Sequence, residues 1–433
     1  MKGAAQSGRV AFTTSRALEF FTESELTAQI GYRKALWPLV LTKELIDNAI
    51  DACETAATKA IEIGVELDKD AIIVSDNGPG IAHKIIKGVL DYTVRISDKK
   101  HYVAPTRGQL GNALKCVVAA TFVATGKKSV LEIVTRGRCY RITVDLDRIA
   151  QKPKITCVTT DAPVKTGTIL KIFWPQVASY FSSFYSDLSR SQSLPDAVET
   201  LIEDYAGLNP HVTFTFNKIR RAASDSAWTK WRTDAPTSAH WYRPEHLRAL
   251  IAAHICERDL PLRDFVGSFE GLARNRVRAG VLEAAQLKGS HLSDLVRGKD
   301  VNMPSVTRLL EAMQKNSRPV QPKRLGLLGK DHLCQHFQSL GANAGFKYDR
   351  KAFYDDEDLP VVCETAFAIR PDAGVSSRRI IGLNWSPIFK IPSGAIGEAI
   401  SSCQVNSSDP VVLLVHAVRP RFEFTDHGKG ALA

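Results

Sequence analysis

The sequence lacks the marks of membrane, secreted and zinc-binding proteins. No apolar run reaches the roughly 18 to 20 residues that a membrane-spanning helix needs, and the longest candidates, such as residues 117–124, are too short. No apolar core of the signal-peptide type follows the first residues, so we expect a protein that is not secreted. The eight cysteines stand singly without a CxxC pair, which argues against a zinc site and fits buried or neutral thiols in a reducing cytosol.

The composition that is present is that of a globular protein with several domains. The chain has 433 residues, and at roughly 100–200 residues per domain this predicts two to four domains. Apolar residues make up 44% and charged residues 24%, which excludes a disordered or collagen-like chain. Lys and Arg number 57 against 46 Asp and Glu, so the net charge is +11. This charge is compatible with a polyanionic partner such as DNA, although many basic proteins bind none.

Three stretches differ in their hydrophobic periodicity. Residues 1 to about 235 mix amphipathic helices with short strand-like runs, which predicts a sheet covered on one face by helices. The runs are residues 71–75, 129–135, 140–146 and 168–173. Residues 244–313 follow a helical pattern and predict a small helical insert. A second α/β domain is predicted beyond Pro319 and Pro322. Its strand-like runs are residues 359–369, 380–383 and 411–417.

The first candidate for chemistry is a polar stripe on the predicted helix at residues 43–52. Glu44, Asn48 and Asp51 stand at positions i, i+4 and i+7, so they share one helix face. The face predicted to pack against the sheet carries Leu45, Ala49 and Ala52. Taken alone, the polar stripe is more simply explained as the solvated face of the helix.

A strand that ends in a carboxylate follows this helix. The apolar run leads to Asp76, and Gly78 and Gly80 permit a tight turn and a close backbone approach by a ligand. An ordinary Asn-Gly turn would also explain the glycines. A carboxylate that closes a buried strand needs a hydrogen-bond donor, and the exocyclic amine of adenine would supply one.

Two further segments complete the constellation. The Gly-rich residues 106–112 open a predicted helix, and such a loop presents free N–H groups and the positive end of the helix dipole to phosphates. Gly167 and Thr168 begin the fourth strand-like run. By themselves they indicate no more than a turn that enters a strand.

In this order and spacing, the four segments resemble the ATP-binding fold shared by gyrase, Hsp90, histidine kinases and MutL, the GHKL superfamily. The matching strings are ELIDNAIDA at 44–52, DNGPG at 76–80, GQLGNA at 108–113 and GT at 167–168. Within the superfamily the chain is most similar to the B subunits of type VI DNA topoisomerases. The strings that carry this similarity are ALEFFT at 17–22, KELIDNAIDAC at 43–53, RGQ at 107–109, NPH at 209–211, YRPEH at 242–246 and TDHGKGALA at 425–433.

The resemblance implies an α+β chain with three domains behind an N-terminal strap. The expected units are the strap at 1–30, a GHKL ATP-binding α/β sandwich at 31–240, a helical, helix-two-turn-helix-like domain at 241–318, and an α/β transducer domain of the ribosomal protein S5 type at 319–433. We expect the transducer to be incomplete at its C-terminal end, with its closing element supplied by a longer natural chain or from elsewhere.

For the site, the resemblance implies a role for each matching residue. Glu44 would orient and deprotonate the attacking water, and Asn48 would offer a neutral oxygen to Mg²⁺, which also bridges the phosphates. Asp76 would accept a hydrogen bond from the adenine amino group, and Thr168 would support it directly or through water. The residues expected to make room for the base are Gly78 and Gly80.

The phosphates would be held by the glycine-rich lid loop and by a lysine from the second domain. The expected phosphate-binding residues are Gly108, Gln109, Leu110, Gly111, Asn112 and Ala113. Lys429 would pair with the γ-phosphate and so report its presence. The family usually carries another glycine where Ala113 stands, so we expect this departure to affect turnover rather than ATP binding.

The function that the resemblance implies is the ATP-binding and hydrolysing subunit of a type II DNA topoisomerase. ATP would close two copies into a homodimeric clamp on double-stranded DNA, and a separate topoisomerase VI A-like subunit would cut the DNA. The assembly would hold two A and two B subunits and lie in the cytoplasm, on the nucleoid. Two alternatives stay open: a stand-alone ATPase switch in chromosome organisation or defence, and a module that holds nucleotide without hydrolysing it.

Two segments interleave basic and aromatic residues and are candidates for DNA contact. They are residues 218–221, Lys-Ile-Arg-Arg, and residues 228–232, Trp-Thr-Lys-Trp-Arg. Such residues grip phosphates and stack on bases. A solvated β-hairpin with packed tryptophans explains the same sequence.

Overall fold

A computed structural model describes most of the chain. The described residues are 20–89, 101–107, 113–147, 149, 152–182, 193–232, 234–287, 291–371, 377–389, 398, 402, 406 and 408–422. Within them, no helix combines the length and the apolar character that crossing a membrane requires.

One large sheet organises the first half of the chain. Its strands are β1 Ile61–Asp68, β2 Ala71–Asp76, β3 Ser129–Thr135, β4 Arg138–Asp147, β5 Lys152–Asp161, β6 Thr168–Phe173, β7 Val212–Phe216 and β8 Ile219–Arg221. Their order in space is β5-β4-β3-β6-β2-β1-β7-β8. The pair β1 and β7 is parallel, and the other neighbouring pairs are antiparallel. Along β3, buried and half-buried side chains alternate, as expected of a strand with one face on the core.

Helices cover one face of this sheet. They are α1 Glu23–Ile30, α2 Trp37–Thr55, α3 His83–Val89, α4 Ala113–Thr125 and α5 Leu194–Leu208. Helix α2 packs on β1 and β2, α4 packs on β3 and β4, and α5 packs on β7. Helix α2 also packs against α4 and α5. The predicted sheet with helices on one face is therefore confirmed.

A helical region follows, as the sequence predicts. Its helices are α6 Pro244–Glu257, α7 Leu262–Gly267, α8 Asn275–Ala284 and α9 Met303–Lys315, with a small ribbon of β9 Val296–Arg297 and β10 Asp300–Val301. Helix α9 begins at a side-chain cap, because the side-chain oxygen of Asn302 accepts a hydrogen bond from the Ser305 N–H at 3.0 Å. Short 3₁₀ helices lie at Lys34–Leu36, Val177–Tyr180, Ala239–Trp241, Leu292–Leu295 and Pro322–Leu325.

The last part of the chain forms a second sheet. Its elements are α10 Lys330–Ser339, β11 Ala344–Tyr354, β12 Pro360–Ile369, β13 Arg378–Leu383, β14 Ser386–Pro387 and β15 Val411–Val418. The order in space is β11-β12-β15-β13-β14, with β13 and β15 parallel. The three strand-like runs predicted here correspond to β12, β13 and β15.

The buried apolar side chains form two main clusters. The first lies between the large sheet and its helices and includes Trp37. The second joins the helical region to the second sheet and includes Phe265 and Trp385. Val103 and Ala104, from the first half of the chain, also belong to the second cluster. The helical region and the second sheet thus share one core, and the predicted division of the chain into three domains stays a prediction.

Gly167, at the start of β6, gives a prediction about stability. Its φ is +80°, and a Cβ atom at this position would lie 2.1 Å from the Asp76 carbonyl oxygen. Because both the backbone conformation and the contact forbid a side chain, we expect Gly167→Ala to destabilise the fold by about 3 kcal/mol. Urea denaturation of the purified chain would measure this loss.

Gly126 provides the matched control. It has a similar φ of +66°, but nothing lies within 4 Å of a Cβ atom built there. Gly126→Ala therefore carries the backbone cost without the clash, and we expect about 1 kcal/mol. Equal losses for the two variants would contradict the close approach of Gly167 to β2.

Candidate functional site

The polar stripe on α2 divides between solvent and interior. Asn48 is exposed, and the Glu44 side chain is 29% exposed, with its Oε1 3.8 Å from Lys43 Nζ. Asp51 is buried, with 3% of its surface exposed. The stripe is therefore not a simple solvated face, because its last carboxylate points into the protein.

The opposite, sheet-facing side of α2 matches the prediction at two of three positions. Leu45 and Ala49 are buried, but Ala52 is exposed, so the prediction for Ala52 is wrong. The reason is helical geometry, since Ala52 lies one turn after Asn48 and shares its face.

Asp47 is a residue of α2 that sequence reasoning missed. It is buried, and its carboxylate accepts hydrogen bonds from Lys43 Nζ at 2.9 Å, Tyr205 Oη at 2.8 Å and Ser386 Oγ at 2.8 Å. Burial by itself would lower the pKa of Lys43, but Asp47 and Glu44 outweigh it and raise that pKa above its ordinary value. The i, i+4 spacing of Lys43 and Asp47 is the one sequence signal that indicated this pair.

Asp76 ends β2 as predicted and lies in a hydrogen-bonded group. Its Oδ1 accepts from the Gly78 N–H at 2.8 Å, and Thr168 donates to the carboxylate from both its hydroxyl and its backbone N–H. Thr168 stands opposite Asp76 in the β2–β6 ladder. Burial raises the pKa of Asp76, and these hydrogen bonds oppose the rise. The structure thus brings the predicted Asp76, Gly78 and Thr168 together.

The glycines of the turn after β2 have steric reasons within the protein. A Cβ atom at Gly78 would lie 2.9 Å from Cys53 Sγ and 2.9 Å from Asp76 Oδ1. Gly80, with φ +73°, would place one 2.5 Å from Thr135 Oγ1. The turn therefore requires glycine for its own packing, whether or not a base approaches it.

A cavity of about 500 Å³ opens between α2, this turn, α3 and β3. Its lining includes Asn48, Ala52, Gly80, Ile86, Leu114 and Ile133. Apolar walls with a few polar groups at one side are typical of small-molecule sites. Of the predicted site residues, Asn48 and Gly80 line the cavity. Glu44, Asp76, Gly78 and Thr168 are not among the described lining residues.

The remaining predicted site residues lie outside the described part of the chain. They are Gly108, Gln109, Leu110, Gly111, Asn112 and Lys429. Ala113 begins α4, but its side chain is not described. Among the described residues, no group of three or more His, Cys, Asp or Glu side chains comes together in a way that could hold a metal ion.

The second candidate segment for DNA contact is largely interior, which excludes its central residues as a DNA surface and agrees with the packed tryptophans of the alternative. Trp231 is buried, and Trp228 packs against His211 with ring centroids 4.8 Å apart and the ring planes tilted by 31°. Lys230 lies 2.7 Å from Glu54 and 4.3 Å from the Trp385 ring centroid. Burial lowers the pKa of Lys230 to about 8. Arg232 alone in this segment has a largely exposed charge, and it pairs with Asp234 at 2.6 Å.

The first segment is better exposed. Lys218 and Arg220 are exposed on the β7–β8 hairpin, and Arg220 is 3.6 Å from Glu62. Arg221 instead pairs with Glu199 at 2.9 Å and with Glu203 at 3.1 Å. Two of the three predicted cations therefore face solvent.

Comparison with known proteins identifies the same region. Residues 36–148 match the family described as histidine kinase-, DNA gyrase B-, and HSP90-like ATPase. Curated relatives include the B subunit of type 2 DNA topoisomerase 6 from Archaeoglobus fulgidus, 25% identical over 221 residues, or 48% of this chain and 34% of the relative. The protein of the same name from Pyrococcus horikoshii is 31% identical over 150 residues, or 33% of this chain and 26% of the relative. The resemblance carried by the motifs is confirmed, over about a third or less of the length of these relatives.

Solved structures of type II topoisomerase ATPase regions are also similar. The ATPase and transducer domains from Balamuthia mandrillaris align with a TM-score of 0.41 and 11% identity, over 90% of this chain and 75% of that one. The ATPase region of Saccharomyces cerevisiae topoisomerase II aligns with a TM-score of 0.39 and 12% identity, over 91% of this chain and 76% of that one.

The hydrogen bonds around Asp76 lead to a prediction about its ionisation. Thr168→Val removes the hydroxyl that donates to the carboxylate and keeps the side-chain shape. Because that hydrogen bond favours the ionised form, we expect the pKa of Asp76 to rise above its wild-type value. An NMR pH titration of the aspartate carboxyl carbons would measure it.

Thr135→Val is the control on the neighbouring strand. The Thr135 hydroxyl accepts from the Ile81 N–H and donates to the Gly167 carbonyl, each at 3.0 Å. Neither bond involves Asp76, so its pKa should not move. A pKa that rises equally in both variants, or in neither, would contradict the assigned Thr168 contact.

Proposed function

We propose that this chain is the ATP-binding and hydrolysing subunit of a topoisomerase VI-like type II DNA topoisomerase. The observation that carries the proposal is the hydrogen-bonded group of Asp76, Gly78 and Thr168 beside a cavity lined by Asn48. Asn48, Asp76 and Gly78 lie within the segment 36–148 that matches the ATPase family, and Thr168 lies beyond it. The relatives are longer than the matched region, so DNA, the cleavage partner and strand passage belong to the proposal.

In this proposal Asp76 selects adenine. Its carboxylate already accepts from Gly78 and Thr168, and a carboxylate has about four lone-pair positions, so an adenine amino group can be added without breaking either bond. Guanine presents a carbonyl oxygen at the corresponding position. Both this oxygen and the carboxylate are acceptors, so no hydrogen bond can form between them. The site would therefore prefer ATP over GTP.

Hydrolysis would be carried out on the exposed side of α2. Glu44 is partly exposed and lies beside the charged Lys43, so it can accept a proton from water while Lys43 balances its charge. Asn48 is exposed and lines the cavity, and its side-chain oxygen could be a ligand of a Mg²⁺ ion that keeps several waters and binds the phosphates. When bound, that ion would neutralise phosphate charge. The lid residues 108–113 and Lys429 would hold the phosphates.

The larger assembly is proposed on the same grounds. Two copies would close on ATP into a clamp around double-stranded DNA, with residues 1–30 as strap, 31–240 as the ATP-binding domain, 241–318 as the helical domain and 319–433 as the transducer. A separate A-like subunit would cut the DNA. Relaxation of supercoiled DNA that requires ATP, this chain and a cleavage subunit together would test this, and relaxation independent of ATP would contradict it.

Glu44→Gln should separate binding from hydrolysis. The change keeps the size of the side chain but removes the base, so we expect ATP hydrolysis to fall about 100-fold or more while ATP affinity changes little. Phosphate release and calorimetric titration with ATP would measure the two quantities.

Asp76→Ala is the complementary variant. It removes the adenine acceptor, so we expect ATP binding to be lost along with hydrolysis. Persistent turnover in Glu44→Gln would remove Glu44 from the base role, and unchanged affinity in Asp76→Ala would remove Asp76 from adenine recognition.

The exposed β7–β8 hairpin predicts a DNA-binding phenotype. Reversing both solvent-facing charges, with Lys218→Glu and Arg220→Glu, should weaken duplex binding about tenfold. The negative slope of log affinity against log salt should become shallower by about 2, because two phosphate contacts are lost. Fluorescence anisotropy with a labelled duplex at several salt concentrations measures both.

Lys347→Glu with Lys351→Glu is the charge-matched control. Both lysines are exposed on β11 of the second sheet, and the pair changes the net charge by the same amount. If this control weakens binding as much as the hairpin variant, the effect is that of total charge and the hairpin is not a DNA contact.

A further inference from the structure

A fully buried arginine connects three separated parts of the chain. Arg107 has no exposed side-chain surface, and its Nη1 donates to Asp51 at 3.0 Å and to Glu54 at 2.9 Å, both on α2. Its Nη2 donates to the side-chain oxygen of Asn209, which follows α5. Its Nε makes a longer contact of 3.5 Å with the carbonyl oxygen of Trp385. One side chain therefore touches the helix that carries Glu44 and Asn48 and also the second sheet.

The second sheet meets this arginine through a strained turn. Asn384 and Trp385, between β13 and β14, have φ values of +47° and +63°, and a bulky residue rarely adopts this conformation. Such strain persists only where neighbouring contacts enforce it. Here the Trp385 carbonyl also accepts from Asn209 Nδ2 at 3.0 Å, and the next residue, Ser386, donates to Asp47 on α2 at 2.8 Å.

The same arginine ends the segment that leads into the lid loop. Val103 in that segment is buried in the second core, where its N–H donates to Tyr242 Oη at 2.9 Å and its carbonyl accepts from Thr237 Oγ1 at 2.6 Å. Residues 101–107 are thus attached to the core of the second half, although α2 belongs to the core of the first. Arg107 is the point at which the two attachments meet.

We propose that Arg107 is a positioning residue that couples the position of the second sheet, relative to α2, to ATP hydrolysis. By holding α2, residues 101–107 and the Asn384–Trp385 turn in one arrangement, it orients Glu44 toward the bound nucleotide. ATP binding depends mainly on Asp76, which Arg107 does not contact within the described residues. The inference rests on the proposed function and adds to it the contacts through which the second sheet would influence the ATP-hydrolysis site.

Arg107→Lys in the full chain tests the proposal. A lysine keeps the positive charge but has a single donor group in place of the fork, so it cannot reach Asp51, Asn209 and Trp385 at once. We expect kcat for ATP to fall at least tenfold, while KM and the ATP dissociation constant stay within threefold of wild type. A rise in KM with unchanged kcat would overturn the proposal, because it would assign Arg107 to nucleotide binding.

Arg378→Lys is the matched control. Arg378 is a largely buried arginine, with 13% of its side chain exposed, and it also bridges the two halves of the chain, from β13 to Glu203 at 2.5 Å and Asp204 at 2.6 Å on α5. In the described residues it contacts neither α2 nor residues 101–107, so its kcat should equal that of wild type. Equal losses of kcat in Arg107→Lys and Arg378→Lys would overturn the proposal in favour of general loosening between the halves.

Ser386→Ala keeps the proposal testable if Arg107→Lys does not fold. It removes the hydroxyl that donates to Asp47 and also hydrogen-bonds Tyr205, and we expect kcat to fall severalfold with KM unchanged. A wild-type kcat in Ser386→Ala would then overturn the coupling. A wild-type chain that neither binds nor hydrolyses ATP would overturn the proposed function and this inference with it, whereas normal turnover in every variant would overturn this inference alone.

Discussion

A guanidinium removed from water must be surrounded by its own partners, and in this protein that constraint falls on Arg107. Its partners lie on α2, after α5 and in the turn before β14. Burial alone would raise the pKa of Glu54, but Arg107 and Lys230 hold it well below its ordinary range. The Glu54 carboxylate therefore stays ionised inside the protein. The contacts of Arg107 fix the position of helix α2 relative to the Asn384–Trp385 turn of the second sheet.

The turn after β2 is arranged largely by the protein itself. Asn77 links it to the start of β1, accepting from the Glu62 N–H at 3.0 Å and donating to the Ala60 carbonyl at 2.6 Å. Gly167 donates to the Gly78 carbonyl at 2.9 Å. Asp76 is thereby held in one orientation before any ligand arrives, and a site arranged in advance binds its ligand without a further ordering cost.

The secondary structure and the first-sheet site were largely predictable. Strands β3 and β6 have the bounds that their alternating patterns predict, and Asp76 does end β2. The errors concern burial. Ala52 was assigned to the interior and Lys230 was named as a candidate for DNA contact, yet Ala52 lines the cavity and Lys230 is enclosed by Glu54 and Trp385. Periodicity reports which residues share a face, but it does not report what covers that face.

The sequence by itself determined the elements of the site, namely the polar helix, the strand that ends in Asp76 and the glycines of the following turn. These follow from local rules, since helical spacing, strand alternation and the absence of a Cβ act over a few residues. The tertiary structure decided which charges are buried and with whom. Arg107 meets Asp51 from 56 positions away and Trp385 from 278 positions away. No local pattern encodes such a contact, because its energy arises only when distant segments exclude water together.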